Sequence, residues 1–173
     1  PYEGSSSNRG IVVTDKEVMF ENVRQASAAG LSSTIHAIGD KATHDVLDVF
    51  AAVRAEEPTR RLRHRIEHVQ LLHPADFNRL GQLNVIASMQ PIHATSDMLI
   101  ADKFWGPRSA GAYAWRTQLN AGATLAFGSD APVESFNPFW GIHAAVTRRR
   151  TDGSPAPDGW YPEQRLTVEE AVH

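Results

Sequence analysis

The feature that most restricts the fold is a unit that occurs four times: a short apolar run, a loop, then apolar residues at helical spacing. The runs fall at 31–36, 63–69, 84–90 and 124–128, the length of buried strands. The intervening segments read as helices. Val46, Val49, Phe50 and Val53 form one stripe, with Asp40 placed to cap it. Thr14 and Glu17 read as a capping box ahead of Val18, Met19 and Val23. Pro74 suits the first turn of a helix over 74–83, and further helices are predicted over 110–121 and 139–149. Thr167 and Glu170 form a second capping box. Between 91 and 109 a long loop is predicted, placed as a substrate-facing lid.

Strands alternating with helices of this length build a parallel sheet from βα units. Four strands are half of an eight-stranded barrel, which takes about 250 residues. A half-barrel has two open sheet edges. The expected fold is therefore α/β, a partial (β/α)8 TIM barrel of about four βα units. The 173 residues are expected to be a single fragment of a longer catalytic barrel, with the other half outside it.

Three strands end on residues able to bind a metal or move a proton: His36, His68 and Asp130. In a parallel barrel all carboxyl strand ends meet at one face, where active sites sit. Two imidazoles and a carboxylate there are ligand types of a divalent-metal hydrolase. Taken singly, each has a plainer role, a satisfied imidazole or a turn cap. By strand alternation, a His68 aimed at the mouth sends Glu67 the other way, toward a supporting position. Ala126 and Gly128 share the face of Asp130 and leave room beneath it. His44, His64, His73 and His143 fall on helices or away from the mouth and read as structural, and Trp115 reads as core. The run Arg148, Arg149, Arg150 ends a predicted helix, where it complements the helix dipole.

The motifs His36-Ala37-Ile38-Gly39-Asp40, Arg65-Ile66-Glu67-His68-Val69-Gln70 and Gly128-Ser129-Asp130-Ala131-Pro132-Val133 resemble successive motifs of the amidohydrolase superfamily. The closest resemblance is to its family 3 branch, which holds N-substituted formamide deformylase-like and YtcJ-like proteins. Pro138-Phe139-Trp140-Gly141-Ile142 and Leu166-Thr167-Val168-Glu169-Glu170-Ala171 extend the similarity over nearly the whole chain. The resemblance implies that the strands are the fifth to eighth of the barrel. It implies that His36 and His68 bind metal, and that Asp130 contacts metal and carries protons from water to the leaving amine. His93 and Gln90 become candidates for substrate contact, and Glu67 for support behind the ligands. The family's His-x-His pair, its fourth-strand lysine and its small β-sandwich have no counterpart here. Lys16, Lys41 and Lys103 are the only lysines, none at a suitable strand end.

The leading expectation is a metal-dependent hydrolase acting on a C–N bond of a small amide, formamide or cyclic amide, inactive as this fragment alone. Zinc is the expected ion, one or two in the complete enzyme, with iron or manganese as substitutes. A mononuclear deaminase needs the same three ligands, and a metal-free half-barrel interaction module is the rival from another class. Open edges allow self-pairing or a homo-oligomer. A net charge of -3 gives no electrostatic case for nucleic acid or an acidic membrane. No stretch has the length and apolarity of a membrane span. Zero cysteines exclude disulfides and thiol catalysis and fit a cytoplasmic protein.

Overall fold

The computed structural model describes residues 1–59 and 61–173. Four strands, β1 (Thr34–Ala37), β2 (Arg65–His68), β3 (Ile86–Met89) and β4 (Thr124–Phe127), form one sheet in that order. Every neighbouring pair is parallel. The fold is thus the α/β partial barrel expected from the alternation, and the outer edges of β1 and β4 carry no strand among the described residues.

One face of the sheet is covered and the other is open. Ala37, Ile66, Ala87 and Met89 are buried on the covered face, with Ile35, Leu125 and Phe127 partly buried beside them. Helix α1 (Lys16–Ala28) packs on α2 (Asp40–Glu56), whose Val46, Val49, Phe50 and Val53 are all core. Each such side chain contributes about 1.5–3 kcal/mol on burial. On the open face the register sets His36 beside Glu67 and Glu67 beside Ser88.

Several local expectations change. The predicted helix over 74–83 is a 3-10 turn at Pro74–Asp76 followed by the short α3 (Arg79–Gln82). Asp76 is fully buried there, held by Arg79 Nη1 at 2.9 Å and His44 Nδ1 at 3.0 Å. The segment expected as a loop is helix α4 (Pro91–Trp105), then a 3-10 helix at Gly106–Gly111. Pro91 occupies its first turn, where no backbone donor is lost. Helix α4 is buried around much of its first turn, from Pro91 to Thr95, so no one-sided stripe marks it.

Helix α5 (Trp115–Asn120) is shorter than expected, and α6 (Pro138–Thr147) stops before the arginine run. Arg148 does not serve the helix dipole. It adopts a left-handed conformation with φ 53° and is 1% exposed. Its Nε donates to the Trp160 carbonyl at 2.6 Å and Nη1 to that of Tyr113 at 2.8 Å. The guanidinium lies 4.5 Å from the Trp115 ring and 4.9 Å from that of Trp160. Burial pushes its pKa down to about 9, still charged at neutral pH. Helix α7 (Val168–Val172) carries the capping box expected at Thr167 and Glu170. At α1 the box is absent: Asp15 is the N-cap, without a side-chain cap bond. At α2 the cap is Gly39, leaving Asp40 in the first turn, where it pairs with Arg108 at 2.8 Å.

Candidate metal centre

The carboxyl ends of the strands bring three donors together. One ligand atom each from His68, His93 and Asp130 lies within 4.8 Å of the other two. Among the described residues this is the only such group of three. His93 Nε2 is 3.5 Å from Asp130 Oδ2, and its Nδ1 is 3.8 Å from Glu134 Oε1. The His36 ring stands edge-on to that of His68, with centroids 4.5 Å apart. His36 is exposed on the open face and borders the cluster without belonging to it.

Backbone strain aims two of these side chains. After Ile66 points into the core, alternation alone would send His68 there too. Instead His68 has φ 80° and Val69 φ 46°, turning the imidazole toward His36. A β-branched residue with such a φ is a genuine outlier. Asp130 is left-handed as well, at φ 56°. Positions of this kind cost about 1–3 kcal/mol each and cluster at functional sites. Because of the turn at His68, Glu67 is not sent to the opposite face. It lies on the same open face as His36 and pairs with Arg65 Nε at 2.5 Å.

Gln90 is buried at 6% exposure, and its Oε1 sits 2.9 Å from His68 Nδ1. An amide oxygen there takes the Nδ1 proton and leaves the Nε2 lone pair for a ligand. Burial lowers the pKa of His68, against the raising effect of the Gln90 bond, and the nearby His36 lowers it further. The ring is therefore neutral at pH 7, as a metal ligand must be. Two imidazoles, one of them neutral and oriented, with an exposed carboxylate fit a divalent ion.

Of His36, His68 and Asp130, expected to meet at the strand ends, the structure brings His68 and Asp130 together with His93 and leaves His36 beside His68. Gln90, a candidate for substrate contact, sits with its Oε1 2.9 Å from His68 Nδ1. His93 stands among the donors rather than on a loop beside them. Glu134, which also accepts a 2.6 Å bond from Ser96, was missed; its four-residue spacing from Asp130 was the available signal. His64 stacks on Phe50 with centroids 4.6 Å apart and accepts from the Ser33 amide at 3.1 Å. His73 caps the amide of Ala75. Trp115 is core, fully buried.

A parallel half-barrel with a His, His, Asp cluster at its carboxyl face belongs to the metal-hydrolase type of barrel. The chain is a member of the amidohydrolase family, which it matches over residues 1–173. It is 38% identical over 173 residues to the Arabidopsis thaliana protein LONG AFTER FAR-RED 3, covering 99% of this chain and 29% of that one. YtcJ of Bacillus subtilis, by its name an amidohydrolase, is 31% identical over 99% of this chain and 32% of its own length. Among solved structures, an uncharacterized metal-dependent hydrolase from Pyrococcus horikoshii OT3 superposes with a TM-score of 0.86. It is 31% identical, and the match covers 100% of this chain and 34% of that one. The chain thus spans about a third of the length of these relatives.

Proposed function

We propose that these residues serve a metal-dependent amidohydrolase that cleaves a non-peptide C–N bond in a small amide, formamide or cyclic amide. The observation that carries the reading is the grouping of His68, His93 and Asp130 donors within 4.8 Å. We assign His68, His93 and Asp130 as the ligand group, with the His36 ring bordering His68. A divalent ion, zinc by choice of ligands, supplies Lewis-acid polarisation of the scissile carbonyl and acidification of water. Asp130, the exposed member of the group, accepts the proton of the attacking water and returns it to the leaving amine. His93, with Asp130 on one nitrogen and Glu134 near the other, orients the carboxylate. Gln90 keeps His68 in one tautomer.

Residues 1–173 are proposed to be the later half of a longer barrel. Coverage of about a third of each relative and the uncovered edges of β1 and β4 support this. Activity is accordingly assigned to the full-length protein, in the cytoplasm, on a small-molecule amide. No helix among the described residues is long and apolar enough to cross a membrane.

The test is metal content of the folded, zinc-loaded protein, followed by turnover of an amide panel. Asp130→Asn is expected to lower kcat by at least a hundredfold. Unimpaired turnover in that variant would remove Asp130 as proton carrier. A folded sample that retains no zinc would favour a metal-free interaction module.

A further inference from the structure

The loop that carries Asp130 sets a second carboxylate against the same histidine. The Val133 amide donates to the Asp130 carbonyl at 2.8 Å, closing a turn after which Glu134 follows. His93 lies between the two acids: its Nε2 is 3.5 Å from Asp130 Oδ2 and its Nδ1 is 3.8 Å from Glu134 Oε1. The side chain of His93 is 8% exposed and that of Glu134 21%. Among the described residues Glu134 pairs with no Lys or Arg. Its partners are the His93 ring and the Ser96 hydroxyl, which donates to Oε1 at 2.6 Å. Taking a carboxylate from water without a cation beside it is costly, so these two contacts are what hold it there.

Ser96 follows His93 by three residues on α4, which makes them neighbours on one helix face. The backbone of that turn is fixed from behind. Arg150 Nε donates to the Thr95 carbonyl at 2.9 Å, and Nη2 donates to that of Ser96 at 3.1 Å. Arg150 is itself anchored, its amide donating to the Ser154 carbonyl at 2.9 Å and its carbonyl accepting from the Gly153 amide at 3.0 Å. The last arginine of the run at 148–150 therefore ties α4 to the segment that follows α6. With the backbone set in this way, the carboxylates facing its two nitrogens decide how the His93 ring is used.

We propose that Glu134 is the positioning residue for His93. Its Oε1, held by Ser96, favours the tautomer with the proton on Nδ1 and leaves the Nε2 lone pair facing Asp130 and a shared ion. The inference rests on the metal-hydrolase reading above and adds the group that orients its third ligand. Glu134 lies outside the donor group and meets the ring at Nδ1, so it acts through His93. Gln90 stands in the same relation to His68, at 2.9 Å from Nδ1.

The experiment uses the full-length protein in two states. With metal, zinc affinity is read by chelator competition, and the visible spectrum of the cobalt-substituted protein reports ligand geometry. Glu134→Ala is expected to weaken zinc binding by about tenfold and to change the cobalt spectrum. Glu134→Gln keeps an acceptor oxygen for both Nδ1–H and the Ser96 hydroxyl, and is expected to restore affinity and spectrum. Ser96→Ala, at an exposed position, should fall between them. Without metal, at about pH 8, above the ordinary histidine range, nitrogen NMR of isotope-labelled histidines reads the tautomer. His93 is assigned by the signals lost in His93→Ala. It is expected as Nδ1–H in wild type and Glu134→Gln, shifting toward Nε2–H in Glu134→Ala. Unchanged zinc affinity and tautomer in Glu134→Ala, in a wild type that holds zinc, overturn the proposal and leave the hydrolase reading standing. Glu134→Gln as weak as Glu134→Ala, with the wild-type tautomer in both, makes Glu134 a ligand and also overturns it. A zinc-free wild type whose His93 tautomer still depends on Glu134 supports the positioning role while removing the hydrolase reading.

Discussion

Replacing Gln90 by Leu tests whether the hydrogen bond behind His68 organises the metal centre. The two side chains are close in size, so packing at this 6% exposed position is largely kept. What is lost is the acceptor 2.9 Å from His68 Nδ1, and with it the preference for the tautomer that offers Nε2. Loss of such a supporting group costs about 10–100-fold in metal affinity, or about 1.4–2.7 kcal/mol. The effect on folding is smaller. His68 is only half-buried, so water can replace the acceptor, and the expected destabilisation is about 1 kcal/mol. Zinc affinity is read by competition with a chromogenic chelator at neutral pH, and stability by urea denaturation of the zinc-free protein. Gln90→Glu keeps an acceptor and is expected to hold zinc at least as tightly as wild type. Unchanged affinity in Gln90→Leu would refute the reasoning. Equal weakening in both variants would shift the cause from the hydrogen bond to packing.

Other perturbations separate site from scaffold. Arg148→Met removes donors from the Trp160 and Tyr113 carbonyls and should cost about 3–5 kcal/mol, read by denaturant midpoint. Ile66→Ala empties a fully buried position on β2 and should cost about 2–5 kcal/mol in the same assay. Burial lowers the pKa of both His64 and His68. The unfolded chain therefore binds more protons just below the ordinary histidine value of about 6.5. Stability should be full above that pH and fall as acid is added toward the folded-state values, with a shallower slope in His64→Phe.

The βα alternation was legible because strand and helix periodicities are local properties of the chain, and the four strands lie where the apolar runs are. Each strand is shorter than its apolar run, as hydrogen-bond pairing ends before apolarity does, although β1 runs one residue further, to Ala37. Helix α4 was not legible. Its buried circumference erases the stripe that marks a surface helix, and Pro91 looks like a breaker when it is a first-turn residue. The capping residues at α1 and α2 moved by one position, since cap identity depends on where the chain enters the helix.

The sequence by itself determined the class of fold and pointed to two members of the donor cluster, His68 and Asp130, because each follows an apolar run that must become a strand. Only the tertiary structure decided how those side chains face. Left-handed backbone at His68, Val69 and Asp130 breaks the alternation from which direction is read. It also decided the company they keep: His93 arrives from a helix, Gln90 from the neighbouring strand end, and His36 stays at the border. Contacts of that kind join residues 20 to 60 positions apart, and no local pattern encodes the distance between them.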